Sequence, residues 1–299
     1  MNTVGFDIGG TQCRAAVVTA DGKILKQRTV PTPRTAAALE DAVAALVDEL
    51  RPLDPGAVGL AVAGFLDPQR EIVRFAPHLP WRDTPVRARL QERLGLPVVM
   101  EHDANSAAWG EYRFGAARGV GTWVFFAVGT GIGAALMIDG EIFRGAYGTA
   151  PEFGHLTVVR GGRECACGKR GCLERYASGT ALADTAEAHG MGPGLSGHAI
   201  MTAARSGDER ARAVLADFAG WLGQGLSMVA DVLDPEVIVL GGGVAADADL
   251  FLPDAVADMG RSIVGAGHRI LPVVGTAELG AHAGMIGVSD LARTELTGE

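Results

Sequence analysis

The sequence predicts an α/β protein of two similar domains that face a shared cleft. Three observations carry this reading. Residues 4–26 read as strand, Gly9-Gly10 turn, strand, Asp21-Gly22 turn, strand, and residues 124–144 repeat that plan at Gly129-Thr130-Gly131 and Asp139-Gly140. Asp-Gly between apolar runs is a strong hairpin signal. A further strand follows in each half, 58–63 ending at Gly64 and 237–240 ending at Gly241-Gly242-Gly243. Amphipathic helical patterns lie between these strands, and a repeated unit of this kind implies two copies of one plan.

Each element has its own signal. Residues 35–51 carry Leu39, Val43, Leu46, Val47 and Leu50 at helical spacing. Val86, Leu90 and Leu94 mark a shorter helix. Residues 98–100 form a strand that runs into Asp103, where a helix through Trp109 and Tyr112 begins. Residues 208–233 are helical through Val214, Phe218, Trp221, Leu222 and Val229, and stop at Asp234-Pro235. The glycine-rich stretch 189–197 is a surface loop. The domains are expected to be 1–118, completed by a terminal helix 288–299, and 119–287, with a hinge near 118–121.

Composition narrows the function classes. Hydrophobic residues are 48% of the 299 and charged residues 20%, which is ample for a core and excludes disorder as the main state. The 43 glycines are about twice the ordinary share, with no collagen period, so they belong to turns and ligand loops. A net charge of −9 without a basic run, together with 6% aromatic residues, makes nucleic acid and acidic membrane surfaces poor partners. No uncharged apolar run reaches a bilayer span, and the N-terminus has the order of a strand and not of a signal peptide. Of four cysteines, three cluster at Cys165, Cys167 and Cys172 while Cys13 stands alone. That clustering reads as metal binding in a reducing compartment, with the cytoplasm the expected location.

The strongest chemical signal is Glu152-Phe153-Gly154-His155 followed by Cys165-x-Cys167-Gly168-x-x-Gly171-Cys172-x-Glu174. Three thiolates within eight residues, with glycines that let the chain turn around an ion, suit a structural Zn²⁺. His155 is the nearest candidate for the fourth ligand. The zinc loop would hold Glu152 and Glu174 close together although 22 residues separate them.

Asp7-Ile8-Gly9-Gly10-Thr11 lies between two strands. Backbone N–H groups of such a turn can cradle phosphate, and a neighbouring carboxylate can hold Mg²⁺ through water; a plain hairpin turn is the other reading. Paired with Gly129-Thr130-Gly131-Ile132-Gly133, it gives two facing phosphate loops. Neither loop ends in Gly-Lys-Ser/Thr or opens a helix, which argues against Walker and Rossmann sites. Gly241-Gly242-Gly243 either lies against adenine or makes an ordinary strand-to-helix turn. Asp103, at the end of a strand, is either a helix N-cap or a carboxylate that takes a proton from a hydroxyl.

Together these motifs, with Asp103-Ala104-Asn105, Ala76-Pro77-x-Leu79-x-Trp81 and Ala108-Trp109-Gly110-Glu111, resemble the ROK family of repressors and sugar kinases, and within it the bacterial ATP-dependent glucokinases. The resemblance spans nearly the whole chain. It implies an actin-like ATPase (ribonuclease H-like) fold. The implied reaction is transfer of the ATP γ-phosphoryl group to the 6-hydroxyl of a hexose, with Mg²⁺ and a structural zinc held by His155, Cys165, Cys167 and Cys172. It further implies Asp103 as base, with Gly64, His78, His102, Asp103, Glu152, His155 and Glu174 around the sugar. His155 would serve zinc and sugar through different ring nitrogens. Asp7 would assist Mg²⁺. Gly9, Gly10, Thr11, Gln12, Gly129, Thr130, Gly131, Gly133 and Gly241, Gly242 and Gly243 would surround the nucleotide. A homodimer or homotetramer is implied as well.

The sequence departs from the family pattern in three places. Gln12 stands where Lys is usual, and His102 and His78 stand where Asn is usual. His102 matters most, because the Asn it replaces binds sugar hydroxyls beside the base. The alternatives are a kinase for another sugar (N-acetylglucosamine, N-acetylmannosamine, mannose, fructose or a cyclitol), a polyphosphate-dependent kinase and a sugar-sensing regulator. The resemblance favours ATP over polyphosphate, because the polyphosphate-dependent relatives lack the cysteine cluster. A first strand starting at residue 3 leaves no room for a helix-turn-helix domain.

Overall fold

The structure, a computed structural model, describes residues 1–298. The first glycine turn joins β1 (Asn2–Ile8) to β2 (Gln12–Val18), and β3 (Ile24–Pro31) continues the antiparallel run. Helix α1 (Ala36–Leu50) is capped by the Thr35 hydroxyl, which accepts from the Ala38 N–H, and it buries the predicted apolar stripe. Strand β4 (Pro55–Val62) then pairs parallel to β1. A small antiparallel sheet of β5 (Phe65–Leu66), β6 (Val73–Phe75) and β7 (Arg82–Thr84) leads to α2 (Val86–Leu94). Strand β8 (Val98–His102), parallel to β4, runs directly into α3 (Asp103–Phe114).

The second glycine turn joins β9 (Trp123–Val128) to β10 (Ile132–Ile138), with β11 (Glu141–Ile142) after the Asp139-Gly140 turn. Helices α4 (Gly179–Ala188), α5 (Gly197–Arg205) and α6 (Glu209–Leu233) precede β12 (Val237–Gly241). Then come α7 (Leu252–Ser262), β13 (Val273–Thr276) and α8 (Ala283–Thr297). The two main sheets run β3-β2-β1-β4-β8 and β11-β10-β9-β12-β13, the same order built twice. The internal echo in the sequence is therefore a repeat of topology. Helix α6 is long and apolar enough to cross a bilayer by composition, but 61% of its apolar window is buried inside the fold, as in a core helix.

The chain divides into two compact units. One holds residues 1–119, 135–151 and the chain from Glu278 onward; the other holds 120–134 and 152–277. This differs from the expected division in two places. Residues 135–151 belong to the first unit because they are tied into it: Arg144 binds Glu101, and Gly140 lies so close to Tyr112 that an added Cβ would meet its hydroxyl at 2.6 Å. The terminal helix starts at Ala283, five residues before the expected 288; Glu299 lies outside the described residues.

Within the first unit, α8 packs on β1, β4 and α3 through glycines. A Cβ on Gly5 would fall 2.0 Å from the Met285 carbonyl, and one on Gly59 would fall 2.2 Å from that of Val288. One on Gly287 would meet the Ser106 carbonyl at 1.8 Å. Backbone meets backbone along this seam, so no side chain can rotate away to make room. Gly287→Ala should therefore destabilise the protein by about 3 kcal/mol or more. Urea unfolding should show a lower midpoint at unchanged slope.

Candidate functional site

Parallel pairing brings three strand ends together in the first unit. The register aligns Asp7 with Ala61 and Ala61 with Glu101, then Ile8 with Val62 and Val62 with His102. The chain leaves this edge as Gly9-Gly10, as Ala63-Gly64 and as Asp103. Gly64 turns tightly, its N–H donating to the Val62 carbonyl at 3.0 Å. His78 sits beside the first glycine turn, because a Cβ on Gly10 would lie 2.5 Å from its Cβ.

The N-cap of α3 is His102, whose side chain makes no capping bond. Asp103 is the first helical residue, so the N-cap reading of this residue is set aside. Its Oδ1 accepts the Ala104 N–H at 2.8 Å and lies 3.2 Å from His102 Nε2. Its Oδ2 has no hydrogen bond among the described residues, which leaves that oxygen to act on a hydroxyl. Burial holds the Asp7 carboxyl above its ordinary range; the paired Arg14 guanidinium pulls it down and the Asp103 charge pushes it up. Two carboxylates here face one guanidinium, a balance that suits an added divalent cation near Asp7. The Cys13 thiol, buried beside Asp7, is pushed up to about 12, so it is not a nucleophile at neutral pH.

In the second unit, Gly129, Thr130 and Gly243 line a cavity of about 730 Å³ together with Gly179, Thr180 and His198. The Gly179 N–H donates to the Gly129 carbonyl at 2.7 Å, and the Thr180 hydroxyl donates to that of Thr130 at 2.8 Å. Gly242 has φ +84°, and a Cβ there would lie 2.4 Å from the Val128 carbonyl, so the strand end requires glycine. Sequence reasoning missed Gly179, Thr180 and His198. The available signal was Ser178 and Ser196, which cap α4 and α5 and place two helix N-termini at the cavity.

The four predicted metal ligands converge. The ligand atoms of His155, Cys165, Cys167 and Cys172 all lie within 4.8 Å of one another. His155 Nδ1 is 3.6 Å from Cys165 Sγ, and the Cys167 and Cys172 sulfurs are 3.7 Å apart. A zinc tetrahedron with Zn–S about 2.3 Å and Zn–N about 2.0–2.1 Å has edges of about 3.6 Å (S–N) and 3.8 Å (S–S). The donor set and its spacing fit Zn²⁺. Gly171 has φ +79°, and a Cβ there would fall 1.7 Å from the Val159 carbonyl, so glycine is obligatory where the loop closes.

The carboxylates flank this cluster as foreseen. Glu152 Oε2 lies 3.8 Å from His155 Nε2, on the ring edge away from the sulfurs. Glu174 Oε1 lies 3.6 Å from His155 Nδ1 and accepts from the Cys165 thiol at 3.0 Å. Burial and that bond push the Cys165 thiol up, so a cation binding there would release its proton. Glu174 Oε2 rests against the second glycine turn, 3.4 Å from the Ile132 N–H, and a Cβ on Gly131 would meet it at 2.5 Å. Arg14, Arg70 and Arg144, which pair with carboxylates near the strand ends, were not foreseen; none of them sits in a recognisable motif.

Comparison with known proteins follows the same lines. The model of the ROK family matches residues 3–295. A glucokinase of Streptomyces coelicolor is 40% identical, with 97% of each chain aligned. The crystal structure of a ROK family glucokinase from Streptomyces griseus in complex with glucose and AMPPNP is similar at a TM-score of 0.89 and 40% identity, covering 98% of this chain and 100% of that one. A ROK hexokinase from Thermus thermophilus is similar at 0.87 and 34% identity over 100% of both chains.

Metal analysis of protein prepared without chelators should find one zinc per chain. Cys172→Ala should remove it and lower stability by about 3 kcal/mol or more, as expected for loss of a structural metal. A zinc-replete Cys172→Ala protein would show that the ligand set is different.

Proposed function

The chain belongs to the ROK family, and we propose that it is an ATP-dependent glucokinase that moves the γ-phosphoryl group of ATP to the 6-hydroxyl of glucose. The observation that supports this reading most is the likeness over nearly the whole chain, at 40% identity and in fold, to a glucokinase crystallised with glucose and a nucleotide analogue. The geometry supports it independently, because carboxylates gathered around an imidazole suit sugar hydroxyls. Phosphoryl transfer itself needs alignment, charge neutralisation and a base, with little covalent help.

Each residue then has a role. Asp103 Oδ2 takes the proton of the attacking hydroxyl, while Oδ1 is held by Ala104. Glu152, His155 and Glu174 hold sugar hydroxyls, with Gly64, His78 and His102 on the acceptor side. His155 offers Nδ1 to the thiol cluster and Nε2 to the sugar, a division supported by its Nδ1 contact with Cys165 and its Nε2 contact with Glu152. Gly9, Gly10, Thr11, Gln12, Gly129, Thr130, Gly131 and Gly133 surround the phosphates. Gly243 lines the cavity that would take the adenine, and Gly241 and Gly242 form the strand end that leads to it. Magnesium, held by Asp7 through water, would neutralise phosphate charge when bound. The expected homo-oligomer and cytoplasmic residence belong to the same proposal; they rest on the family resemblance and on the thiol chemistry.

With Mg·ATP, glucose should be turned over at higher kcat/KM than N-acetylglucosamine or N-acetylmannosamine. The reverse order in a sugar panel would overturn the acceptor assignment. Asp103→Asn should lower kcat by roughly 10²–10⁴-fold, the range of general-base catalysis, and calorimetry should show glucose affinity nearly unchanged. Near wild-type kcat would remove Asp103 from the chemistry.

A further inference from the structure

The side chain immediately upstream of the acceptor site is a buried carboxylate to which the reaction gives no role. Glu101 is 1% exposed, in β8. A buried carboxylate is costly unless every lone pair is used, and an apolar residue at the same buried position would cost less. Here both oxygens are fully engaged. Oε1 accepts the His102 N–H at 2.9 Å and the Asn105 amide Nδ2–H at 2.9 Å. Oε2 accepts from Arg144 Nε at 2.8 Å and from Arg144 Nη2 at 2.6 Å, with Arg70 Nη1 at 3.5 Å.

The two bonds on Oε1 fall on either side of Asp103. One fixes the backbone of the residue before it, and the other fixes the side chain of the residue two positions after it. Among the described residues the Asn105 Oδ1 is buried without a partner, so Glu101 is the polar contact that orients this amide. His102 supplies no side-chain cap to α3, and the Glu101 carboxylate instead engages the backbone at that junction. We propose that Glu101, clamped by Arg144 and Arg70, is the positioning residue for the base: it fixes the β8–α3 turn so that Asp103 Oδ2 points to the acceptor hydroxyl. This rests on the reading of Asp103 as the base.

Glu101→Gln tests it. A glutamine keeps the shape but has one acceptor oxygen, so serving His102 and Asn105 turns its NH₂ toward the Arg144 guanidinium, donor against donor. The expected result is a loss of kcat of roughly 10–100-fold, the scale of a small misplacement of a reacting group, with KM for glucose nearly unchanged. In the Asp103→Asn background the same substitution should lower kcat no further, because the group it positions is gone. A merely structural role would lower kcat in both backgrounds and raise KM. Wild-type kcat in Glu101→Gln, or an equal loss in both backgrounds, overturns the proposal. Failure of the base reading looks different, since Asp103→Asn alone would then retain kcat. Should Glu101→Gln not fold, Arg144→Gln at the partly exposed end of the clamp decides: a fall in kcat at constant KM supports the proposal, and unchanged kcat overturns it.

Discussion

Glu174 makes two demands on the backbone around it. One of its oxygens must lie against the glycine turn at Gly131 and Ile132, and the other must lie beside Cys165 and His155. A side chain on residue 131 would occupy the space of the first oxygen. The thiol cluster fixes the second. The carboxylate therefore joins the turn between β9 and β10 to the loop that gathers the metal ligands. Gly154 repeats the constraint one step away, because a Cβ there would lie 2.3 Å from the Ile132 carbonyl. The zinc loop and the glycine turn are thus one packed object, and a metal that holds the loop also holds the turn.

The strand ends of the first unit are governed by charge. Asp7, Glu101 and Asp103 bring three carboxylates to the C-terminal end of the parallel strands of a mixed sheet, and each is managed differently. Glu101 is fully buried and fully bonded, with arginines on one oxygen and the β8–α3 junction on the other. Asp7 is partly neutralised by Arg14 and held above its usual range by burial. Asp103 is the most open of the three and, among the described residues, keeps one oxygen without a bond. Three carboxylates are thereby placed in three environments: one fully bonded, one paired with an arginine and one largely open.

The two sheets share an order, but their helices are held by different means. In the first unit α8 approaches β1, β4 and α3 along a glycine seam, at distances that only bare backbone permits. In the second unit the long α6 buries Val214, Phe218, Leu222, Leu226 and Val229 in a conventional apolar stripe, with Gly223 against the backbone of α7. The abundance of glycine follows from both needs, close helix packing and close approach of side chains to turns.

Much of this was legible in the chain. The hairpins at Gly9-Gly10 and Gly129-Gly131, the stripe from Leu39 to Leu50 and the His155–Cys172 ligand set are local patterns, and local geometry decides them. Spacing alone places three sulfurs within reach of one ion. The sequence could not say that residues 135–151 pack with the first unit, because Arg144–Glu101 and Gly140–Tyr112 are contacts between segments distant in sequence. Nor could it say whether Asp103 caps a helix or begins one, a difference of one residue set by where β8 ends. Gly179, Thr180 and His198 reach the cavity because α4 and α5 point their N-termini at a turn about fifty residues or more upstream. The sequence alone determined the ligands and the turns, whose atoms are neighbours along the chain. Only the tertiary structure decided which carboxylates are fully bonded and which stay open, because that depends on arginines and backbone groups brought in from elsewhere in the fold.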